Sequence, residues 1–513
     1  MSPFVSYIIN YQLMPNTNSA NKVTHAVVRM YCMGTGDCFI IKFFAGDNVR
    51  FKMMIDCGVW TGGKDRLTPF MEDLKEYVEG EVDLLVITHE HLDHVSVFET
   101  CSDVFTNNFT VKKIWMSWSE NDSLSKIKRW KTEYGEKKRA LALASERLEE
   151  ALMRPEEREA FINGADGLAI MGARKHFAAA LSNFSMLHMQ GVAGQYKGML
   201  EGMRIVKKEI ANDNIEYMYP GNIIEDLPGL EGVRFYVLGP PEKWDDVETE
   251  GGGEGESYTH NKILKGEEAF AVAITGTNAA GGTDGILPFE AFYESASDNN
   301  NVRKSYDDPD CAWRTIENEW LFSAGNLALR IGTLTNNLSL VIAIEFEENR
   351  RVMLFPGDAE YGSWRTWHNI SWEGIEKPED GVHFTQDLLR RTVFYKIAHH
   401  MSHNGTAERL GLNMMEHKDL AAMGSLDYKV IPPAWKGTMP NREMLQELLR
   451  KTKGRLMIMN EKGIFYDFHD QEPIAGKIKQ ARSKMNVGEK AAFEDDFKKD
   501  ETNGYYIDYK VKA

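Results

Sequence analysis

Residues 88–94 read Thr-His-Glu-His-Leu-Asp-His and come directly after the apolar run 82–87, Val-Asp-Leu-Leu-Val-Ile. The apolar run predicts a buried strand, so three imidazoles and two carboxylates stand at the carboxyl end of that strand. Charged side chains are rarely buried without partners, which makes this group a poor choice for core packing. Imidazole nitrogen and carboxylate oxygen are good ligands for zinc and neighbouring divalent ions. The stretch therefore predicts a metal site, and the alternative is a polar loop that happens to be rich in histidine.

If residues 88–94 form a tight turn, His89 and His91 can converge on one ion while Asp93 and His94 turn towards a second.

Two further stretches carry candidate ligands. Farther along the chain, Asp358 follows an apolar strand and a glycine, which lets the backbone turn sharply and present the carboxylate. The pair 399–400, His-His, ends another apolar run. A plain turn aspartate and a surface loop are the alternatives for these last two positions.

The motif His-x-His-x-Asp-His after a hydrophobic strand resembles the signature of the metallo-β-lactamase fold, whose members are mostly hydrolases. Further motifs are similar, in family order, to those of the subgroup related to the hydrolase domain of the ComEC competence protein. They are MGTGDCFII (33–41), MMIDCG (53–58), NLSLV (337–341), MLFPGD (353–358), YKIAHHMS (395–402), MPN (439–441) and NEKG (460–463). Met401 stands where glycine is usual. The motifs together span roughly residues 25–470, with long interruptions that resemble nothing in the family.

The resemblance implies an α/β (α+β) fold, namely a four-layer αββα metallo-β-lactamase sandwich, and a set of metal ligands. The implied ligands are His89, His91, Asp93, His94, Asp358 and His400. Asp358 would bridge two ions, and His399 is the alternative to His400 as the last ligand. The expected cofactor is Zn²⁺, as one or two ions, with Mn²⁺ or Mg²⁺ also possible. Such ions would acidify a water to near neutrality and polarise the carbonyl or phosphoryl oxygen under attack.

The same resemblance implies four catalytic residues, which are Asp93, Asp56, His399 and Lys396. Asp56 would orient a ligand imidazole or the attacking water from outside the metal's own ligands. His399 and Lys396, together with Ser402, would supply donors to a scissile phosphate.

One departure from the family pattern bears on the number of ions. The family usually carries another histidine between the first motif and the bridging aspartate. The corresponding strand here reads FYVLGPP (235–241) and has no histidine, although the ComEC-like subgroup often has Leu-x-Pro at this place. The first ion would then be weakly held, completed by water, or missing.

The motif map divides the chain into six segments. They are the first half of the sandwich (1–120), a helical insertion (121–210), further sandwich strands (211–240), an acidic, Gly-rich insertion (241–320), the second half of the sandwich (321–475) and a charged C-terminal extension (476–513). Apolar residues at i, i+3 and i+4 predict the helical insertion. Residues 442–453 predict a helix, and Tyr505-Tyr506-Ile507 hints at a strand.

Composition favours an intracellular enzyme. Hydrophobic residues make up 42% and charged residues 27% of the 513, which is ordinary for a globular protein. No window approaches the roughly 18 apolar residues of a membrane span, and the first residues lack a basic-then-apolar signal pattern. Five cysteines without a Cys-x-x-Cys pair do not indicate a disulfide framework. We therefore expect a cytoplasmic protein with no membrane partner.

The net charge of −17 is unusual for a protein that binds nucleic acid through contacts to phosphate. Many of the acidic residues lie in 242–256 and 298–310. A basic run with an interleaved aromatic residue covers residues 126–131 (KIKRWK) and continues at 137–139 (KKR). That run could bind a phosphate backbone and stack against a base, or it could be the solvent-exposed face of a helix.

The sequence supports three hypotheses for the function. The first is a metal-dependent phosphodiesterase or nuclease acting on DNA, because the ComEC-like resemblance points to phosphodiesters. The second is a hydrolase of a small ester, amide or cyclic nucleotide, which the acidic balance favours. The third is a nuclease subunit active only within a defence or DNA-uptake complex, with a protein partner docked on the insertions.

Overall fold

The structure of the chain is a computed structural model that describes residues 21–132, 199–211, 214–249, 251–252, 256, 332–376, 378–431, 439–461 and 474–513. It has a mixed α/β fold in which two large sheets carry most of the described strands. Most of the predicted helical insertion (121–210) and most of the predicted Gly-rich insertion (241–320) lie outside the described residues.

The first sheet has eight described strands. Their bounds are His25–Tyr31 (β1), Phe39–Ala45 (β2), Asn48–Ile55 (β3), Leu84–Ile87 (β5), Ile114–Ser117 (β7), Ile215–Met218 (β8), Phe497–Lys499 (β16) and Tyr506–Lys512 (β17), and their order in the sheet is β16-β17-β1-β2-β3-β5-β7-β8. Strands β3, β5, β7 and β8 run parallel, and the others pair antiparallel. Strand β5 is buried along its whole length, as a central parallel strand requires. A separate two-stranded ladder joins Glu81–Val82 (β4) to Thr110–Val111 (β6).

The second sheet has seven described strands. Their bounds are Ile223–Ile224 (β9), Val233–Gly239 (β10), Val341–Phe346 (β11), Arg351–Phe355 (β12), Thr392–Lys396 (β13), Ala421–Gly424 (β14) and Leu456–Ile458 (β15), and their order is β15-β14-β13-β12-β11-β10-β9. Strands β12 to β15 are parallel, so their carboxyl ends meet at one edge of the sheet. Ligands bind at such an edge in α/β proteins, because the loops that leave the strands converge there.

The described helices follow the strands of both halves. They are Lys64–Val78 (α1), Leu92–Thr100 (α2), Ser102–Asn108 (α3), Met199–Ile205 (α4), Trp244–Val247 (α5), Tyr361–Trp367 (α6), Phe384–Arg390 (α7), Arg442–Thr452 (α8), Ile474–Ser483 (α9) and Val487–Asp496 (α10). The helix predicted over 442–453 is thus present as α8, and the Asn441 side chain caps it by accepting from the Met444 amide. No described helix is both apolar enough and long enough to cross a membrane.

Three apolar clusters hold these elements together. One contains inward-facing residues of both sheets, among them Phe39 and Val86 of the first and Ile344 and Phe394 of the second. Another joins the opposite face of the first sheet to α1, α2 and α4. The last joins the opposite face of the second sheet to α6, α7 and α8. Removal of this apolar surface from water is the main favourable contribution to the stability of the fold.

The last two strands of the chain, β16 and β17, belong to the first sheet. Sequence led us to expect a charged extension over 476–513, but β17 pairs antiparallel with β1 along its whole length. Arg29 of β1 donates from Nε to Asp508 Oδ1 at 2.8 Å, and its guanidinium lies 3.3 Å from the ring centre of Tyr506. The charges of this segment are compatible with its place in a sheet, because Asp508 pairs with the buried Arg29 and several other charged side chains face solvent.

Candidate metal centre

The predicted site residues come together at the carboxyl ends of strands from both sheets. Asp56 follows β3, and residues 88–94 follow β5 in the first sheet. Asp358 follows β12, and the pair His399–His400 follows β13 in the second. The sharp turn before Asp358 uses Gly357 at φ +58°, a conformation that glycine adopts without strain. Parallel strands therefore place side chains that are far apart in sequence at one edge of the molecule.

Four of these residues form a single buried group, which is Asp93, His94, Asp358 and His400. One potential ligand atom from each lies within 4.8 Å of all the others. His94 Nε2 is 3.1 Å from Asp358 Oδ2, and His400 Nε2 is 3.0 Å from Asp93 Oδ2. The sequence alone left the choice between His399 and His400 open, and the structure brings His400 into the group.

The donor set of this group fits a divalent cation. Among the described residues, no hydrogen bond of normal geometry reaches Asp93 Oδ1, His94 Nε2, Asp358 Oδ2 or His400 Nε2, although all four atoms are buried. Buried polar atoms are almost always hydrogen-bonded, so four such atoms that face one another require an explanation. Two imidazole nitrogens and two carboxylate oxygens match the preferences of zinc. The group could therefore hold a metal ion.

Asp56 holds the imidazole of His94 from behind. The Asp56 carboxylate accepts from the Thr88 amide at 2.8 Å and from the Thr88 hydroxyl at 2.6 Å. Its Oδ2 also lies 2.7 Å from His94 Nδ1, which directs Nε2 of the same ring towards the four-residue group. A carboxylate behind a ligand histidine fixes the tautomer and makes the imidazole more basic. The role that the resemblance implies for Asp56, to orient a ligand imidazole or the attacking water, remains a prediction.

His400 has an equivalent support that the sequence did not reveal. Its Nδ1 lies 3.0 Å from the Ser425 hydroxyl, which donates in turn to Asp37 Oδ1. Ser425 follows β14, and Asp37 lies in the turn before β2. Asp37 was visible as the aspartate of the MGTGDCFII motif, whereas nothing in the sequence around Ser425 indicated its role.

Lys396 is buried among carboxylates. Its ammonium donates to the Gly357 carbonyl at 2.9 Å and to Asp358 Oδ1 at 3.2 Å, and it forms an ion pair with Asp37. Three donors thus face three protein oxygens, and the side chain is only 2% exposed. This geometry favours a supporting role over the contact with a scissile phosphate that we expected.

Nearby carboxylates shift the pKa values of the two histidines in the four-residue group. Burial by itself would lower the pKa of His94, but Asp358, Asp56, Asp37 and Asp93 raise it well above the usual value. Burial also opposes protonation of His400, yet Asp358 and Asp93 raise its pKa to about 9. The buried carboxylates close to each ring thus favour the cationic form of both imidazoles. A divalent ion would replace those protons.

His89 and His91 lie beside the four-residue group. His89 Nε2 is 2.9 Å from His91 Nδ1, and its ring centre is 4.1 Å from that of His94. Burial and the nearby His94 hold the pKa of His89 well below its usual value, so this ring is neutral. Their predicted role as ligands of a first ion remains a prediction. Strand β10, where the family histidine is missing, supplies no ligand to the group.

His399 points away from the group into a polar network. Its Nδ1 is 3.0 Å from Asn404 Oδ1, and Nε2 is 3.4 Å from the Asn336 amide nitrogen. Asn336 also donates to the buried Glu360 at 2.6 Å. His399, at 7% exposed, is the most accessible of the predicted site residues. It therefore stands between the buried ligands and the surface.

Comparison with models of known protein families finds no match to this chain, and a search of curated proteins likewise finds none.

Proposed function

We propose that the protein is a metal-dependent hydrolase with a metallo-β-lactamase-like αββα sandwich. The observation that carries this proposal is the buried group of Asp93, His94, Asp358 and His400, whose facing atoms accept no hydrogen bond from the described residues. Buried polar atoms that face one another without a hydrogen bond of normal geometry are costly unless an ion occupies the space between them. The motif order supports the choice of family.

The packing supports the four-layer arrangement. One apolar cluster lies between the two sheets, and the other two join the far face of each sheet to helices. Helices α1 and α2 contribute Leu67 and Phe98 to the first of these outer clusters, and α6 and α8 contribute Trp364 and Leu448 to the second. Two sheets face to face with helices on both outer faces make an αββα sandwich.

The residues around the site have separate roles in the proposed reaction. A divalent ion, once bound, would polarise a substrate oxygen and lower the pKa of water. Asp56 and Ser425 orient the two imidazoles, and Lys396 neutralises part of the charge on Asp358. His399 lies beside the proposed ligands, and its ring nitrogens contact Asn404 and Asn336, so a role as donor to substrate has less support than the roles of Asp56 and Ser425.

For the substrate we favour a phosphodiester, most of all DNA, on the strength of the ComEC-like motifs. The basic run gives this choice less support than its sequence suggested. Trp130 stacks on Trp244 with ring centres 4.7 Å apart, and Lys131 forms an ion pair with Glu120 at 2.8 Å. The aromatic side chain that could have stacked a base is thus packed against the protein. This observation favours a small ester, amide or cyclic nucleotide as the second candidate substrate.

The test is hydrolysis of supercoiled, linear and single-stranded DNA with Mn²⁺, Mg²⁺ or Zn²⁺, beside a small phosphodiester and a small ester. The control is the double variant Asp93→Ala/His94→Ala, which lacks two of the proposed ligands. Metal-dependent DNA cleavage that this variant loses would establish the nuclease. Cleavage of the small substrates alone would favour the second candidate. Absence of all hydrolysis by protein with a bound metal would contradict both and point to activation by a partner.

A further inference from the structure

Trp60 lies in a short loop that is hydrogen-bonded to the segment that follows the turn at residues 88–94. The loop begins after β3, and three of its amides donate to backbone carbonyls. The bonds are Cys57 to His94 at 2.8 Å, Gly58 to Asp37 at 3.0 Å and Trp60 to Thr35 at 2.9 Å. The loop is thus joined both to the start of α2 and to the turn before β2, so its path is set by the same segments that carry the ligands and their supports.

The backbone of this loop also lies in close contact with the backbone of the proposed ligands. A Cβ atom added at Gly58 would lie 2.2 Å from the Asp93 carbonyl carbon and 2.2 Å from the His94 amide nitrogen. Real Cβ atoms do not approach other atoms so closely, so only glycine fits at this position. The loop that carries Trp60 therefore packs directly on the backbone of two proposed ligands, Asp93 and His94.

The Trp60 indole uses this position to contact ligands from both halves of the molecule. Its Nε1 donates to Asp93 Oδ2 at 2.5 Å, and the same oxygen lies 3.0 Å from His400 Nε2, while the buried Asp93 Oδ1 accepts no hydrogen bond from the described residues. Its ring meets the His400 imidazole edge to face, with centres 6.1 Å apart. Trp60 is 2% exposed and packs in the same apolar cluster as Ile397 and Met401 of the second half. One side chain thus covers the site and contacts Asp93 and His400.

We propose that Trp60 is a positioning residue for the metal centre, which fixes the orientation of the Asp93 carboxylate relative to the other three residues of the group. This inference rests on the proposed function in so far as the group binds a metal. An indole N–H suits the task because it orients a carboxylate without neutralising it, whereas a lysine there would compete with the cation. Trp60 touches neither substrate nor ion in this role; it acts through the orientation of Asp93.

The test is calorimetric titration of Zn²⁺ alone into metal-free protein at pH 8. We expect Trp60→Phe to raise the Kd by about 10- to 100-fold, the usual effect of losing a group that orients a metal ligand. The matched control is Trp115→Phe. Trp115 is also buried, and its indole donates to the Glu216 carboxylate at 2.9 Å, but Glu216 is not a proposed ligand. The control should leave the Kd unchanged.

A third variant, Trp60→His, separates the hydrogen bond from packing. The imidazole places a ring N–H near the position of the indole N–H but lacks the second ring, so its Kd should lie nearer that of the wild type than that of Trp60→Phe. It also carries the test if Trp60→Phe does not fold. A wild-type Kd in Trp60→Phe, or a Trp60→His variant no better than Trp60→Phe, would overturn the inference. Absence of Zn²⁺ binding by the wild type would instead refute the metal centre itself, and hydrolysis does not enter this measurement.

Discussion

His94 Nδ1 lies 2.7 Å from Asp56 Oδ2, so a carboxylate on the loop after β3 orients an imidazole on α2. We predict that Asp56→Asn weakens Zn²⁺ binding by about 10- to 100-fold. An asparagine suits the site sterically, since Asp56 has φ +55° and asparagine tolerates this conformation well. Titration of Zn²⁺ into metal-free protein measures the effect. An unchanged Kd in a folded variant would show that Asp56 supports the turn through Thr88 alone.

The buried position of Lys396 leads to a second prediction. Replacement by methionine leaves Asp37 and Asp358 without the ammonium that neutralises them in the metal-free protein. Removal of one partner from a buried ion pair typically costs about 3–5 kcal/mol. We therefore expect the free energy of unfolding of Lys396→Met to fall by about that amount in urea denaturation with chelator present.

A surface lysine provides the control for this measurement. Lys22 pairs with Glu348 at 3.1 Å, with side chains 40% and 67% exposed, and such pairs contribute about 0–1 kcal/mol. Lys22→Met should therefore be nearly neutral. If Lys396→Met folded as stably as the wild type and lost only hydrolysis, Lys396 would have the catalytic role that the sequence suggested.

A third prediction concerns acid. Burial by itself would raise the pKa of Glu120, but the ammonium groups of Lys131 and Lys207, 2.8 and 2.9 Å away, lower it well below its ordinary value of 4.5. A carboxyl whose pKa is depressed by folding stabilises the protein above its unfolded pKa, and this contribution is lost as the pH falls towards the folded value. The stability advantage of the wild type over Glu120→Gln should thus be constant above about pH 5 and shrink below it.

Urea denaturation of both proteins between pH 3.5 and 7 measures this difference, with pH values chosen on either side of the ordinary carboxyl range. Glu348→Gln is the control, because it removes a carboxylate from the exposed pair with Lys22 and should have little effect at any pH. A constant difference between the wild type and Glu120→Gln across the range would contradict the prediction.

The turn at residues 88–94 and the strands around it could be predicted from the sequence because the signals there are local. The apolar run before residue 88 is β5, and the run before Gly357 is β12, as their composition indicated. Strand ends followed by ionisable residues then give the candidates, and the family resemblance implies the ligand set that contains Asp93, His94, Asp358 and His400. The choice between His399 and His400 stayed open in the sequence, because it depends on the contacts of each ring.

The supporting residues could not be predicted in the same way, because their roles depend on contacts between distant segments. Ser425 is one serine among many until β14 places it beside His400. Trp60 carries no sequence signal, since an indole after Val59 is as compatible with simple core packing. Strand β17 was only hinted at because the charges in it obscure the alternation, and its partner β1 lies at the other end of the chain.

The last prediction links metal binding to folding. A ligand that binds only the folded state stabilises it by about 2.7 kcal/mol when its free concentration is 100 times the Kd. Four of the carboxylates around the site, those of Asp37, Asp56, Asp93 and Asp358, are buried close together, so Zn²⁺ should raise the midpoint of urea unfolding and a chelator should reverse the effect. Asp358→Asn should lose most of this response, because its amide replaces a charged ligand, whereas Trp115→Phe should retain it. An equal response in Asp358→Asn would show that Zn²⁺ binds elsewhere, for example at His89 and His91, and the four-residue group would then have to be explained without an ion.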